Sequence, residues 1–281
     1  MGKLHDQMKE DLLLRAYSPH TQRAYLRCVR NFAQHFMRSP EEMGEGEVRS
    51  FLLHLVRDRK ASPATHGMYV NALKFFYTLT LKRADVVKDI PHPKRPQTLP
   101  VILSQQEVLC VFEAIRSVKY KAIIATAYAA GLRISEVCSL RIADIDSQRM
   151  RIHVRSGKRK KDRYVILGES LLALLRQYYK AVRPKGEYLF PGQKENHHLS
   201  TSSVSTVLRQ VMRDGGFSKK ATMHTFRHCF ATHLMEAGTD TRILQVLLGH
   251  SSIRTTMRYT HITDRLLAKL VSPLDMIPLS S

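Results

Sequence analysis

The stretch that decides the fold is residues 223–261, MHTFRHCFATHLMEAGTDTRILQVLLGHSSIRTTMRYTH. Its apolar residues recur at helical spacing from Phe226 to Met235 and again from Ile243 to Leu248, after which Gly249 is a typical C-terminal cap. Histidines, arginines and a tyrosine lie between and after these apolar positions. The stretch therefore predicts two helices followed by a polar segment, with several chemically active side chains close together in the sequence.

Two residues of the first helix suggest an anion site. His224 and Arg227 lie off the apolar stripe and stand about 60° apart around the helix axis. One imidazole and one guanidinium can therefore converge on a single anion. Taken alone, the His-x-x-Arg spacing more often marks an ordinary surface pair, and the sequence leaves that alternative open.

The same helix raises the possibility of a zinc site. His224 and His228 have the i, i+4 spacing of zinc ligands, and His233 is close by. However, the chain offers no carboxylate where a zinc hydrolase needs its base, and Arg227 between the two histidines would repel a cation. We therefore expect no metal ion at these histidines.

Two further segments carry candidate residues. Arg133 follows the glycine break of AGLRISE, residues 130–136, where a helix start can face phosphate oxygens. An exposed arginine paired with Glu136 is an equally good interpretation of that segment. Tyr259 comes nine residues after His250. Its phenol, with an ordinary pKa near 10, becomes a good nucleophile only in an electropositive site; otherwise it is a half-buried ring with its hydroxyl in water.

The rest of the chain predicts two domains. Residues 1–88 show helical periodicity, with Ser-Pro helix starts at Ser18 and Ser62, and predict a small helical bundle. Residues 89–102 contain four prolines among charged residues without apolar periodicity, which predicts an extended basic linker. Residues 103–281 form the second domain.

The second domain is predicted to be helical except at its middle. It opens with a capping box formed by Ser104 and Glu107. Residues 151–154, RIHV, and 163–167, RYVIL, have strand character and flank the basic tip RSGKRKKD, residues 155–162. We therefore predict a mainly α fold with a small β-sheet, in which a helical bundle precedes an α+β domain.

The composition points to a polyanionic partner. The chain has 45 Lys and Arg against 24 Asp and Glu, a formal net charge of +21 and a pI near 10.1. Nucleic acid fits this charge, and so would a membrane surface or a ribosome. Without an apolar run of 18 residues or a signal peptide, we expect a soluble intracellular protein. The scattered cysteines, which we expect to be free and buried, are Cys28, Cys110, Cys138 and Cys229.

The order of the segments is more specific than any one of them. GLRISEV at 131–137, SGKRKKDRYVIL at 156–167, HTFRH at 224–228 and LLGHSSIRTTMRYTH at 247–261 together resemble the signature of the tyrosine recombinases, or phage integrases, and especially their compact Xer-like members. SPHTQRAYLRCVRNF, residues 18–32, is similar to the helical core-binding domain of that family. The resemblance spans nearly the whole chain and implies a core-binding domain followed by an α+β catalytic domain.

The resemblance implies roles for six residues. Arg133 and Arg227 match the two arginines that grip the scissile phosphate, and Tyr259 matches the nucleophile that forms a 3′-phosphotyrosyl bond. Preorganised cations suit this chemistry because the transition state of a phosphodiester carries concentrated negative charge.

The other three residues match proton-transfer and phosphate-binding groups. Lys158 matches the lysine that protonates the leaving oxygen, although Lys160 and Lys161 share its basic tip. His224 matches the histidine that assists proton transfer from the tyrosine. His250 matches a second histidine that binds the phosphate.

The resemblance also implies the partners. It implies double-stranded DNA, no metal or other cofactor, a cytoplasmic location and four protomers on paired sites. The apolar stripe near the terminus, formed by Leu266, Leu267, Leu270 and Val271, would then contact a neighbouring protomer. The alternative for this stripe is that its side chains pack back onto their own domain. The alternatives are a type IB topoisomerase-like enzyme that relaxes supercoils, and an architectural DNA-binding protein that does not cut.

Overall fold

The computed structural model describes residues 2–94, 99–155 and 162–249. The chain divides into two compact units, Met1–Thr98 and Leu99–Ser281. Helices dominate both units, and one small antiparallel sheet lies in the second. The predicted mainly α fold with a small β-sheet is confirmed.

The first unit is a helical bundle. Ser18 and Ser62 cap the helices that follow them, and their hydroxyls accept hydrogen bonds from the backbone N–H groups of Thr21 and Thr65 at 3.1 and 3.2 Å. A π-helical turn, Phe76–Thr80, continues the last long helix, and two short 3₁₀ helices lie at Pro40–Glu42 and Ala84–Val87. The four α-helices are α1 (Gly2–Leu14), α2 (Pro19–Phe36), α3 (Glu45–Arg57) and α4 (Pro63–Phe75).

Two features of this unit differ from the sequence analysis. Helix α1 is not evident from periodicity, because only Met8 and Leu12 of its thirteen residues are buried among charged neighbours. Ile90, which falls in the stretch expected to be a linker, is only 4% exposed and packs into the core of this unit.

The second unit contains seven described helices and a three-stranded sheet in the order β1-β2-β3. The strands are β1 (Ile145–Asp146), β2 (Arg151–Val154) and β3 (Arg163–Ile166). The two-residue β1 is too short to be recognised by alternation. The helices are α5 (Gln105–Ala114), α6 (Val118–Ala129), α7 (Ile134–Cys138), α8 (Glu169–Val182), α9 (Thr201–Asp214), α10 (Met223–Glu236) and α11 (Thr241–Leu248).

Helix α6 is the centre of the second unit. Its residues from Ala122 to Ala127 are all buried, and α8 and α10 both pack against it. Helix α11 in turn packs against α10 and β3. This arrangement brings the loop after α6, the middle of α10 and the end of α11 to one place.

The four cysteines differ in burial. Cys28, Cys138 and Cys229 are buried, whereas Cys110 is only partly buried. The Sγ of Cys229 accepts a hydrogen bond from the backbone N–H of Leu103 at 3.2 Å. Within residues 2–94, 99–155 and 162–249, no helix combines the length and the apolar character that crossing a membrane requires.

Candidate active site

Helix α10 carries two of the candidate residues. The hydroxyl of Thr222 caps this helix by accepting a hydrogen bond from the N–H of Thr225. His224 in the first turn is exposed, as its position off the apolar stripe predicts. Arg227 differs from the surface position implied by the pattern, because its side chain is only 1% exposed.

Main-chain carbonyl groups hold the buried guanidinium of Arg227. Its Nη1 donates to the carbonyl oxygen of Gly131 at 2.7 Å, and its Nη2 donates to that of Leu248 at 2.5 Å. The Oε2 of Glu136 lies 3.7 Å from Nη1. These partners come from the loop after α6, from α7 and from the end of α11. They are remote in sequence, so the hydropathy of α10 does not reveal them.

The loop that leads to Arg133 turns at Gly131. This glycine has φ of +62°, and a β-carbon there would lie 2.4 Å from the Phe230 ring. Arg133 then caps the start of α7, and its backbone N–H donates to Oε2 of Glu136 at 2.8 Å. Its Nη1 also donates to Oε1 of the same carboxylate at 2.8 Å. The pairing with Glu136 that the sequence suggested is therefore present, and Arg133 nevertheless keeps 28% of its side chain exposed.

Three guanidinium groups surround the carboxylate of Glu136. Those of Arg133 and Arg163 pair with it directly, and that of Arg227 lies 3.7 Å away. Burial by itself raises the pKa of this carboxyl, but the hydrogen bonds and charges of Arg163 and Arg133 outweigh burial and lower the pKa to about 2. Glu136 is therefore ionised at neutral pH and offsets one positive charge of the three.

His224 lies within the field of the candidate arginines. Its pKa is lowered, first because the protein partly desolvates the ring and then by the charges of Arg227 and Arg133. The ring of His228 contacts it with the centroids 4.3 Å apart. The structure thus brings Arg133, His224 and Arg227 together, although ninety residues of sequence separate the first from the other two. Among the described residues, no group of three His, Cys, Asp or Glu side chains is arranged to hold a metal ion.

The other three candidates, Lys158, His250 and Tyr259, lie outside the described residues, as do Lys160, Lys161 and the apolar stripe from Leu266 to Val271. Two of them are near neighbours of described residues in the sequence. Strand β3 begins at Arg163, soon after Lys158, and α11 ends at Leu248 with Gly249 as its left-handed cap, immediately before His250.

The sequence patterns did not mark Glu136 and Arg163 as parts of this site. Glu136 was visible as the third residue after Arg133, where an N-terminal capping box places a glutamate. Arg163 alternates in phase with the buried Val165 of β3, and a charged residue on the inward face of a strand indicates a buried partner.

Gly131→Ala should destabilise the second unit. The left-handed backbone disfavours any side chain, and the new β-carbon would meet the Phe230 ring at 2.4 Å. Together these effects should lower the free energy of unfolding by about 2 kcal/mol or more. Denaturant unfolding measures the change. Gly216→Ala is the matched control, because Gly216 has φ of +64° but a β-carbon added to it would meet no atom within 4 Å. Equal losses in the two variants would contradict the role of the Phe230 contact.

Comparison with known proteins gives the same family over most of the chain. The model of the phage integrase family matches residues 102–265, and that of the phage integrase N-terminal SAM-like domain matches residues 4–84. A Sinorhizobium fredii protein, y4qK, named as an integrase or recombinase, is 42% identical over 99% of this chain and 90% of its own length. The tyrosine recombinase XerA of Pyrococcus horikoshii is 31% identical over 89% of this chain and 88% of its own length.

A solved structure shares the fold. The crystal structure of a lambda integrase tetramer bound to a Holliday junction superimposes with a TM-score of 0.76, covering 94% of this chain and 77% of the integrase chain at 18% identity. The sequence matches, rather than this fold likeness, decide the family. The chain belongs to the phage integrase family and is a tyrosine recombinase.

Proposed function

We propose that the chain is a site-specific recombinase that cuts and rejoins double-stranded DNA in the cytoplasm through a 3′-phosphotyrosyl intermediate at Tyr259. The observation that carries the proposal is the convergence of Arg133, Arg227 and His224 around the turn at Gly131. We assign DNA binding to residues 1–88 and the chemistry to residues 103–281, which residues 89–102 join.

The electrostatics of the cluster favour a phosphate. Three guanidinium groups face the single negative charge of Glu136, so the site keeps an excess of positive charge. Arg133 is the most exposed of the three arginines and is the one best placed to reach a ligand. Because the cations are already ordered, they stabilise the charge of a phosphoryl transition state without reorganising.

In the proposed reaction, Arg133, Arg227 and His250 hold the scissile phosphate. The phenolic oxygen of Tyr259 attacks phosphorus, the bond from phosphorus to the 5′ oxygen breaks, and Lys158 protonates the departing 5′-hydroxyl. His224 accepts the proton of the tyrosine. The lowered pKa of His224 supports this role, because an imidazole must be neutral to accept a proton. A 5′-hydroxyl of the partner DNA then attacks phosphorus and gives its proton to Lys158. The bond from phosphorus to Tyr259 breaks, His224 returns a proton to the phenolate, and the DNA backbone is restored.

Exchange of both strand pairs requires four protomers on two sites. The superposition on the lambda integrase tetramer supports this assembly as part of the proposal. We propose that the apolar stripe of Leu266, Leu267, Leu270 and Val271 joins neighbouring protomers. The surplus of Lys and Arg supplies affinity for the DNA backbone without any reading of sequence.

Covalent trapping tests the proposal. Duplexes that the protein selects from a random-sequence pool define its site, and a nick placed within that site lets the cleaved fragment escape, so that the adduct accumulates. We expect an adduct on the selected duplex that resists denaturant and maps to Tyr259. Relaxation of a supercoiled plasmid that lacks the site would favour the topoisomerase alternative. Tight binding without any adduct would favour an architectural protein.

Lys158→Ala should cleave ordinary DNA ~10²–10⁴-fold more slowly, because a general acid typically contributes that factor to the rate. A 5′-bridging phosphorothiolate substrate should restore cleavage, since a thiolate leaves without being protonated. The rate of adduct formation on the two substrates measures the effect. Lys160→Ala and Lys161→Ala are the controls, and rescue of either of them instead of Lys158→Ala would show that the acid is a different lysine.

A further inference from the structure

Arg163 is a buried arginine to which the reaction described above assigns no contact with the phosphate. It opens β3, and its side chain is only 9% exposed. Its Nη1 and Nη2 donate to the two oxygens of Glu136 at 3.1 and 2.9 Å, and its Nε donates to the carbonyl oxygen of Leu247 at 2.9 Å. Hydrogen bonds make such burial of a guanidinium tolerable. Here three N–H groups are paired, two with the Glu136 carboxylate and one with the Leu247 carbonyl.

These contacts join three segments that are far apart in sequence. The sheet carries Arg163, α7 carries Glu136, and the last turn of α11 carries Leu247. A helix ends with carbonyl groups that lack partners within the helix, and α11 gives two of them to arginines: Leu247 to Arg163 and Leu248 to Arg227. Both arginines thereby fix the point from which the chain continues to His250 and Tyr259.

The cap of α11 fits closely against the same side chain. Gly249 has φ of +58°, and a β-carbon on it would lie 3.1 Å from the guanidinium carbon and nitrogens of Arg163. The glycine therefore allows the turn that ends α11 to lie directly on the arginine.

We propose that Arg163 is a positioning residue for the recombination reaction. By holding the carboxyl end of α11 against Glu136, it sets the place from which the segment bearing Tyr259 starts, beside the arginines that grip the phosphate. The inference rests on the proposed function. Arg163 acts through Leu247 and Glu136 rather than by touching DNA, because its three observed hydrogen bonds point into the protein.

Arg163→Met and Arg163→Lys test the proposal on the nicked duplex selected by the protein. Methionine fills a similar volume without charge, whereas lysine keeps a charge opposite Glu136 but lacks the fork that reaches both partners. We expect Arg163→Met to bind the duplex about as tightly as the unaltered protein, and to form the adduct about 10²-fold more slowly at saturating DNA, because small misplacements of reacting groups cost that much. Arg163→Lys should show a smaller loss.

The 5′-bridging phosphorothiolate duplex distinguishes a positioning role from loss of stability. The ratio of adduct-formation rates on the sulfur duplex and the ordinary duplex does not change when a variant is merely less stable. A misplaced nucleophile slows attack on both substrates equally, so the sulfur substrate should not rescue Arg163→Met. Rescue would overturn the proposal, because Arg163 would then act through the lysine of the adjoining hairpin. A fall in binding as large as the fall in adduct formation would also overturn it, because Arg163 would then hold the DNA itself.

Arg151→Met is the matched control. Arg151 lies on β2 of the same sheet, where it pairs with Asp146 and covers the Tyr164 ring. It should form the adduct at the unaltered rate. If Arg163→Met does not fold, as melting temperature would show, Arg163→Lys decides the question by the same measurements. Unaltered adduct formation by a folded Arg163 variant defeats this inference alone, whereas absence of any adduct from the unaltered protein defeats the proposed function.

Discussion

Tyr259→Phe should bind the selected DNA site as tightly as the unaltered protein and form no covalent adduct with it. The substitution removes the one oxygen that attacks phosphorus, while it leaves the ring and the net charge of +21 unchanged. Denaturing electrophoresis of the nicked duplex measures the adduct, and a mobility shift measures binding. This is the largest effect that we expect from a single substitution.

A second tyrosine provides the control for that experiment. Tyr179 lies on α8 with 44% of its surface exposed, and Tyr179→Phe should form the adduct at the unaltered rate. Strand exchange by Tyr259→Phe at the normal rate would disprove the assignment of the nucleophile.

Arg133→Ala and Arg227→Ala should both lose cleavage, but only the second should also lose stability. Removal of one donor to the transition state typically costs ~10²–10³ in rate. Arg227 is buried and donates to two main-chain carbonyl groups. Its loss leaves both carbonyls without these donors, at ~1–3 kcal/mol each, so the free energy of unfolding should fall by about 2–6 kcal/mol. Arg133 is partly exposed, and Glu136 keeps Arg163 as a partner when it is removed, so about 1 kcal/mol or less should be lost.

Adduct formation and denaturant unfolding, measured on both variants, check this contrast. The exposed Arg176 of α8 supplies the control, because Arg176→Ala removes an equal charge away from the cluster and should change neither quantity. Equal stability of the Arg133 and Arg227 variants would contradict the structural role that we assign to the buried guanidinium.

Local patterns predicted most helices of this chain. The capping hydroxyls of Ser18, Ser62 and Ser104, and the left-handed Gly249, mark real helix ends because each interaction is made within a few residues. Helix α1 was not predicted, because only two of its side chains are buried and two apolar positions do not establish a helical period. Both side chains are buried by packing against the rest of the bundle.

The site was harder to predict than the fold. Periodicity placed Arg227 on the polar side of α10 beside His224, but its partners at Gly131, Glu136 and Leu248 come from other segments, and those partners make its burial possible. The same holds for Arg163. Spacing within one helix shows on which face of the helix a residue lies. The carbonyl or carboxylate group that its side chain contacts depends on packing between helices.

The contacts around Glu136 also determine when the site can form. They join Gly131 to Arg227 and Arg163 to Leu247, across 96 and 84 residues of chain. Contacts between such distant residues form slowly, because the entropy of closing the long intervening chain is lost before the contacts stabilise the fold. A nascent chain that has been synthesised only as far as α9 contains Arg133 and Arg163 but lacks Arg227, Leu248 and Tyr259. By the proposed mechanism, this nascent chain therefore lacks the groups that break DNA, although it already carries much of the positive charge of the protein.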